Sequence, residues 1–135
     1  MKSKKVRGYI FSRSFMGERV PQHVQNIVIR DYCEKNNLFY LLSSVEYAMK
    51  DCHLMLEQVL NEIKSIDGVV VYSLFQLPRS EKLRSKIYKK ILNNKKEMHF
   101  SVEGLKIKSK NDIDKLESIW SVRQSLPDSL KTLEV

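Results

Sequence analysis

The sequence predicts an α/β fold: a three-layer sandwich with a mainly parallel sheet of four to five strands between helices. Short apolar runs alternate along the chain with segments of helical periodicity, a pattern typical of right-handed crossovers. Residues 69–74 form an unbroken run rich in β-branched side chains, which indicates burial on both faces. A length of 135 residues with four Gly and three Pro excludes a disordered or fibrous chain. We expect one domain over residues 1–135, with its core at about 5–122 and a tail at about 123–135.

The first half of the chain predicts strand, helix, strand and helix. Residues 6–11 are apolar and suit a buried first strand. Pro21 suits the first turn of a helix because its missing N–H would be unpaired there anyway. That helix ends at Asn36 and Asn37, and residues 38–42 form the second strand. The second helix carries Leu54, Leu56, Val59, Leu60, Ile63 and Ile66.

The second half continues the same alternation. Residues 69–74 are the third strand, and Ser80 is a suitable N-cap for a third helix. Residues 98–102 form a fourth strand. The last helix is marked by Ile113, Leu116, Ile119, Trp120 and Val122.

The charge of the chain points to an anionic partner without identifying it. Lys and Arg outnumber Asp and Glu by 24 to 16, which gives a formal net charge of +8. Such an excess is typical of proteins that bind nucleic acid, phosphorylated metabolites or acidic surfaces. A solvated lysine-rich surface explains it as well. The basic residues of the third predicted helix fall all round it without interleaved aromatics, so nucleic acid is the less favoured partner.

Other classes of protein and site are not indicated. No apolar run approaches the roughly 18 residues that a membrane span needs, and the first apolar stretch is too short for a signal peptide. We expect a cytoplasmic protein with no membrane partner. The two cysteines have no CxxC spacing and the three histidines are scattered, so no metal site is expected. No Walker loop, GxGxxG or GxSxG motif occurs, and no cofactor is expected.

Polar residues gather where ligands of open α/β sheets bind, at the carboxyl ends of the strands. Three loops are predicted there, at residues 12–22, 43–51 and 75–80. The first loop combines hydroxyl, guanidinium and amide groups with a helix N-terminus, which is typical of an anion site. The expected anion-binding residues are Ser12, Arg13, Ser14, Arg19, Gln22 and Arg79.

Catalytic residues are less clear than the anion site. The candidates are Ser12, Ser14 and His23, and binding without catalysis remains open. Glu18 is expected to orient an arginine, and further supporting roles fall to Gln25, Glu46, Gln76 and Glu103. Glu46, Glu103 and His23 are candidate acids or bases, but no pair has a diagnostic spacing. The alternative is a long polar loop without a ligand and a solvent-facing Arg79.

Five features of the chain are shared with a known family. Residues 8–10 (Gly-Tyr-Ile) open the first strand, and Gln25 lies seven residues before Tyr32. The others are residues 56–60 of the second helix, the run at residues 69–74, and residues 77–80, which read Leu-Pro-Arg-Ser. Over residues 8–103 the chain resembles the catalytic domain of serine recombinases, the resolvase–invertase family. The resemblance implies the fold of that catalytic domain.

The motifs that carry recombinase chemistry are altered. The family places an Arg, and two residues later the nucleophilic Ser, directly after the first strand's Tyr and apolar residue. This chain has Phe-Ser-Arg-Ser at residues 11–14, so the Arg is displaced and neither serine is in register. The family's Asp-Arg-Leu-x-Arg motif becomes Phe-Gln-Leu-Pro-Arg at residues 75–79. Loss of two polar members of that motif argues against phosphodiester transfer.

A second resemblance covers longer stretches of the sequence. Residues 7–13 (RGYIFSR), 15–23 (FMGERVPQH), 31–37 (DYCEKNN) and 72–78 (YSLFQLP) are similar to the bacterial sporadic carbohydrate cluster proteins. This resemblance implies a protein found with genes for surface polysaccharide or other glycan synthesis, without an established activity.

Together these features predict an accessory protein or enzyme of bacterial surface-carbohydrate biosynthesis. Its expected ligand is a phosphorylated sugar or nucleotide-sugar, bound at the carboxyl ends of the strands. One alternative is a small serine recombinase that acts with a separate DNA-binding partner and links to DNA through Ser12 or Ser14. Another is a non-catalytic interaction module. By analogy with recombinases the last helix would form a homodimer. Its expected contact residues are Ile113, Leu116, Ile119 and Trp120, although Trp120 also suits the core.

Overall fold

The computed structural model describes residues 3–125 of the chain. Strands and helices alternate along most of it. The strands are β1 (Lys4–Phe11), β2 (Leu38–Glu46), β3 (Gly68–Val71), β4 (Glu97–Phe100) and β5 (Leu105–Ile107). The helices are α1 (Gln22–Lys35), α2 (Leu54–Asn61), α3 (Glu81–Asn93) and α4 (Lys110–Ser125), with 3₁₀ turns at Ile63–Ser65 and Leu74–Gln76.

The five strands form one sheet in the order β2-β1-β3-β4-β5. The first four are parallel, and β5 runs antiparallel to β4. The chain moves outward from β1 to β2 and then crosses back to β3 on the other side of β1. The direction of winding therefore reverses between β1 and β3, and such a reversal opens a crevice at the carboxyl ends of these strands. The predicted α/β fold with a mainly parallel sheet is confirmed.

Helices cover both faces of the sheet. On one face, Ile29 and Cys33 of α1 pack against Val6, Ile10 and Val70 of β1 and β3. The remaining helices pack on the opposite face in a larger cluster, which includes Tyr9, Leu56, Tyr88, Ile91, Phe100 and Trp120. Burial of this apolar surface at roughly 25 cal/mol per Å² is the main force that holds the layers together.

Several element boundaries differ from the prediction. α2 ends at Asn61, so Ile63 lies in a 3₁₀ turn and Ile66 after it, and β4 ends at Phe100, two residues before the predicted end. β2 runs to Glu46, four residues beyond the predicted end, because Ser43 and Ser44 pair with Gly8 and Tyr9 of β1. The predicted second loop is therefore shorter. The third strand ends at Val71 and gives way to a 3₁₀ turn. β5 was not expected, because three residues with a lysine in the middle show no apolar run.

The expected dimer contact of α4 is wrong for Leu116 and Trp120. Both side chains are buried within the single chain, at 1% and 0% exposure. The Trp120 ring lies edge-on to Phe75 at 5.1 Å, and the Arg84 guanidinium stacks on it at 4.2 Å. Ile113 and Ile119 are half-buried against the same cluster.

α4 continues to Ser125, so residues 123–125 are helical, and the rest of the expected tail lies outside the described residues. Among residues 3–125, no helix has the length and apolar character needed to cross a bilayer.

Candidate anion-binding site

The loop after β1 is folded into a tight hairpin. Phe15 and Glu18 exchange two backbone hydrogen bonds of 2.9 Å. The two residues between them, Met16 and Gly17, both have positive φ values of 51° and 75°, a conformation that Gly17 adopts without steric cost. The Phe15 ring packs edge-on to Phe11 at 5.7 Å and so fixes the hairpin to the end of β1. The long polar loop of the sequence is therefore an ordered structure.

All three loops that the sequence singled out border one cleft. The cleft has a volume of about 260 Å³ and lies at the carboxyl ends of β1 and β3. Phe11, Phe15, Phe75 and Leu77 supply its apolar wall. Its polar lining residues are Arg13 and Ser14 from the first loop, Lys50, Asp51 and His53 from the second segment, and Arg79 from the third.

Arg13 is the best-positioned cation of the cleft. Its Cζ lies 4.0 Å from the centroid of the Phe11 ring, and its Nη1 donates a 2.9 Å hydrogen bond to the Tyr47 carbonyl oxygen. Stacking and this one bond hold the guanidinium in place and leave most of its five N–H donors for a ligand. With Lys50 and Arg79 it gives three cations against the single carboxylate of Asp51. The cleft is therefore electropositive.

His53 lies between the second and third loops. Its Nε2 donates a 3.1 Å hydrogen bond to the Gln76 carbonyl oxygen, and its ring is tilted against Phe11 at 5.9 Å. Burial lowers the pKa of His53, which favours the neutral ring. In the neutral ring the proton is on Nε2, which donates to the Gln76 carbonyl oxygen, so Nδ1 is the nitrogen that carries a free lone pair. Sequence reasoning missed His53 and Lys50, since single basic residues in a loop look like solvated surface.

The structure distinguishes the two serines of the first loop. Ser12 Oγ donates a 2.8 Å hydrogen bond to the Glu46 carbonyl oxygen and does not line the cleft. Ser14 is exposed and does line it. Ser14 is thus the hydroxyl that a ligand in the cleft would meet.

Several expected site residues lie away from the cleft. Arg19, Gln22 and His23 are exposed and do not line it. Glu18 does not orient an arginine, because within residues 3–125 it forms no salt bridge; it borders a separate hollow beside Glu103.

Glu103 has a structural role in the turn after β4. Its carboxylate accepts hydrogen bonds of 2.8 Å from the Ser73 hydroxyl and 2.9 Å from the Leu74 backbone N–H. Burial raises the pKa of Glu103 despite these bonds. The carboxylate therefore caps the short 3₁₀ turn after β3, and Glu103 does not line the cleft.

Gln25 and Gln76 form a buried hydrogen-bonded pair that connects the loops of the cleft. Gln25 is fully buried and forms hydrogen bonds with both backbone groups of Phe11, at 3.0 and 2.9 Å. Gln76 Nε2 donates a 2.9 Å hydrogen bond to Gln25 Oε1. The pair links α1, the end of β1 and the third loop, and so sets the distance between the loops that carry Arg13 and Arg79.

Glu46 holds the start of α2 and does not line the cleft. Its buried carboxylate accepts hydrogen bonds from the Tyr9 hydroxyl at 2.8 Å and from the backbone N–H groups of Met55 and Leu56 at 3.1 and 3.3 Å. Burial alone would raise the pKa of Glu46, but these hydrogen bonds outweigh it and lower the pKa. A carboxylate at this place satisfies otherwise unpaired N–H groups and favours the positive end of the helix dipole.

The cleft can bind an oxyanion through two guanidinium groups, an ammonium group and a hydroxyl. Bidentate Arg contacts suit phosphate oxygens in particular. Residues 3–125 contain no group of three or more His, Cys, Asp or Glu side chains that could hold a metal ion.

Comparison with known proteins places the fold. No family model matches the sequence, and no curated protein matches it. The N-terminal catalytic domain of TP901-1 integrase superposes with a TM-score of 0.59 at 19% identity, covering 86% of this chain and 92% of that one. A resolvase family site-specific recombinase from Streptococcus pneumoniae superposes with a TM-score of 0.64 at 13% identity, covering 88% of each chain. Neither comparison supports the resemblance to sporadic carbohydrate cluster proteins. The chain has the fold of the resolvase catalytic domain.

Proposed function

We propose that this chain is a serine-recombinase-like protein that binds the phosphodiester backbone of DNA in the cleft. The observation that carries the proposal is that Arg13, Lys50 and Arg79 line the same cleft as the exposed Ser14 hydroxyl, at the carboxyl end of β1. Cations beside an exposed hydroxyl form a suitable environment for a phosphate diester. The net charge of +8 favours association with a polyanion.

The proposed contacts follow from the geometry of the loops. Arg13, held on the Phe11 ring and the Tyr47 carbonyl, presents its free N–H groups to two phosphate oxygens. Arg79 reaches the same phosphate from the third loop, and Lys50 adds a point charge. A covalent link to DNA would form if Ser14 Oγ attacked a backbone phosphorus: the P–O bond to one deoxyribose breaks, and that sugar leaves as a free hydroxyl that takes up the proton lost by Ser14. Ser12 is the less suitable nucleophile, because its hydroxyl donates a hydrogen bond to the Glu46 carbonyl oxygen.

Fluorescence anisotropy with a labelled duplex tests the binding. Removal of a phosphate contact by Arg13→Ala or Arg79→Ala is expected to weaken binding about five- to tenfold, a loss of about 1 kcal/mol each. The slope of log K against log salt should fall by about one per contact. Arg19→Ala and Lys82→Ala remove one exposed charge outside the cleft and serve as matched controls.

Equal losses in all four variants would contradict the proposed site, because they would show binding through diffuse charge. A denaturing gel of the wild-type protein with DNA, against Ser14→Ala and Ser12→Ala, reports covalent attachment. A linked species that survives Ser14→Ala would contradict the role of Ser14.

The second candidate function is the binding of a phosphorylated sugar or nucleotide-sugar in bacterial carbohydrate biosynthesis. The size of the cleft favours it, since about 260 Å³ with an apolar wall suits a small ligand better than a duplex. A thermal-shift screen against sugar phosphates and nucleotide-sugars tests it. A ligand at one hundred times its Kd adds about 2.7 kcal/mol of stability. A shift lost in Arg13→Ala would support this function, and its absence with every sugar would exclude it.

A further inference from the structure

A second polar cavity lies at the opposite end of the strands from the cleft. β1, β2 and β4 begin there and β5 ends there. The cavity has a volume of about 400 Å³. The residues that matter for its chemistry are Lys4, Asn37, Glu97, His99, Lys106 and Lys108.

A chain of hydrogen bonds forms the floor of this cavity. The Tyr32 hydroxyl donates to His99 Nδ1 at 2.6 Å, and His99 Nε2 donates to Glu97 Oε2 at 3.0 Å. His99 and Glu97 are 3% and 6% exposed. In this tautomer both ring nitrogens are satisfied by neighbours, and burial lowers the pKa of His99, which keeps the ring neutral.

Glu97 gathers two ammonium groups at the mouth of the cavity. Lys4 Nζ forms a hydrogen bond with Glu97 Oε1, and Lys108 Nζ lies 3.5 Å from the same oxygen. Burial opposes ionisation of Glu97, but the bonds from Lys4 and His99 outweigh it and lower its pKa to about 2. The ionised carboxylate therefore holds the two ammonium groups close together. Lys106 adds a third from β5, where it pairs with His99 across the strands.

The groups left for a ligand are almost all donors. The acceptor capacity of Glu97 and His99 is used within the floor, whereas each ammonium group has N–H donors to spare. The Asn37 side chain has no hydrogen-bond partner within the described residues, and it lines the same cavity. Three positive charges face one negative charge. The lysine side chains are exposed, Lys4 and Lys108 at 49% and 59%, so their remaining N–H donors are open to a ligand that enters the cavity.

We propose that this cavity is a second anion site, which takes the phosphate group of a small phosphorylated molecule. Converging ammonium groups and an amide suit a compact tetrahedral dianion. The floor is recessed and buried, so a free small molecule enters it more readily than the convex backbone of a duplex. The site is independent of the function proposed for the cleft.

An NMR titration of ¹⁵N-labelled protein with inorganic phosphate at low salt tests this site. Saturable shifts are expected for the backbone amides of Asn37 and Lys106. Lys106→Ala and Asn37→Gly should each weaken this binding at least about fivefold, or about 1 kcal/mol. Asn37 has a φ of 56°, which glycine adopts freely, so Asn37→Gly removes the amide without backbone strain. Lys89→Ala removes an exposed lysine outside the cavity and is the matched control.

Three outcomes would overturn the proposal. The first is that phosphate shifts neither amide, and the second is that Lys89→Ala weakens phosphate binding as much as Lys106→Ala does. The third comes from a parallel titration with a short DNA duplex. If the duplex shifts the same two amides and phosphate competes with it, the cavity binds backbone phosphates and not a small molecule. Unchanged amides with DNA would support the small-molecule site.

Discussion

Gln25, in the first turn of α1, pairs with Phe11, the last residue of β1, as a further strand would. Its Oε1 accepts from the Phe11 N–H at 3.0 Å, and its Nε2 donates to the Phe11 carbonyl at 2.9 Å. The same Nε2 donates to the Val20 carbonyl at 2.9 Å, so one amide closes both ends of the first loop. The position of Arg13 in the cleft depends on this closure.

Replacement of Gln25 is therefore expected to lower the stability of the fold. Gln25→Leu leaves the buried Phe11 N–H and carbonyl unpaired, at a cost of about 1–3 kcal/mol for each group. Urea denaturation measures the loss. Gln22→Leu, an exposed position in the same turn, is the control and should change the free energy of unfolding by less than about 0.5 kcal/mol. A similar small change for Gln25→Leu would show that the pairing contributes nothing.

Variants of Glu46 and Tyr9 are expected to lower the stability of the fold by different amounts. Glu46→Ala removes the carboxylate from the start of α2 and leaves several buried donors unpaired, with an expected cost of about 3 kcal/mol. Tyr9→Phe removes one of those hydrogen bonds and should cost about 1 kcal/mol. Thermal and urea unfolding measure both. Equal costs for the two variants would contradict the capping role of the carboxylate.

Trp120 is expected to stabilise the single chain. Trp120→Ala should cost about 3–5 kcal/mol, since it opens a cavity between Phe75 and the Arg84 guanidinium. Val122→Ala, on an exposed position of the same helix, should change the free energy of unfolding by less than about 0.5 kcal/mol. The unfolding midpoint, measured for wild type and Trp120→Ala over a hundredfold range of protein concentration, distinguishes a role of Trp120 in the core of one chain from a role in a dimer interface. If Trp120→Ala altered only a concentration-dependent part of that midpoint, the ring would belong to an interface.

Acid should destabilise the fold through Glu97. The bonds from Lys4 and His99 hold the pKa of Glu97 at about 2, below its ordinary value of 4.5. A carboxyl group with a lowered pKa stabilises the folded state fully above pH 4.5, and this contribution is lost as the pH falls from 4.5 to about 2. Glu97→Gln should flatten this part of the pH profile of unfolding, whereas Glu34→Gln, on the exposed face of α1, should not. Parallel profiles for wild type and Glu97→Gln would refute the assignment.

The fold was predictable because its signals are local. The apolar runs of β1 and β3 and the helical spacing in α1 and α3 are visible in the sequence without knowledge of their partners. β5 was not predictable, since its three residues are a strand only through pairing with β4. The apolar face of α4 is visible in the sequence, but an apolar face does not show whether it packs against its own chain or against a second chain.

The site was predictable to the level of loops but not of side chains. The rule for open sheets placed three loops together, and they do border one cleft. It could not separate Ser12 from Ser14, because that depends on a single hydrogen bond to the Glu46 carbonyl. The same rule grouped Arg19 and His23 with Arg13, because it does not reveal the hairpin that separates them. That hairpin depends on the positive φ values of Met16 and Gly17. The cytoplasmic location and the single-domain organisation remain predictions.

The most direct test of the DNA-binding cleft is an NMR titration of ¹⁵N-labelled protein with a short duplex. Binding at the cleft should shift the amides of Arg13, Ser14, Lys50 and Arg79 together, with one affinity, and the Arg13→Ala variant should lose these shifts. Shifts confined to the lysine-rich surface of α3, with the four cleft amides unchanged, would contradict the proposed function.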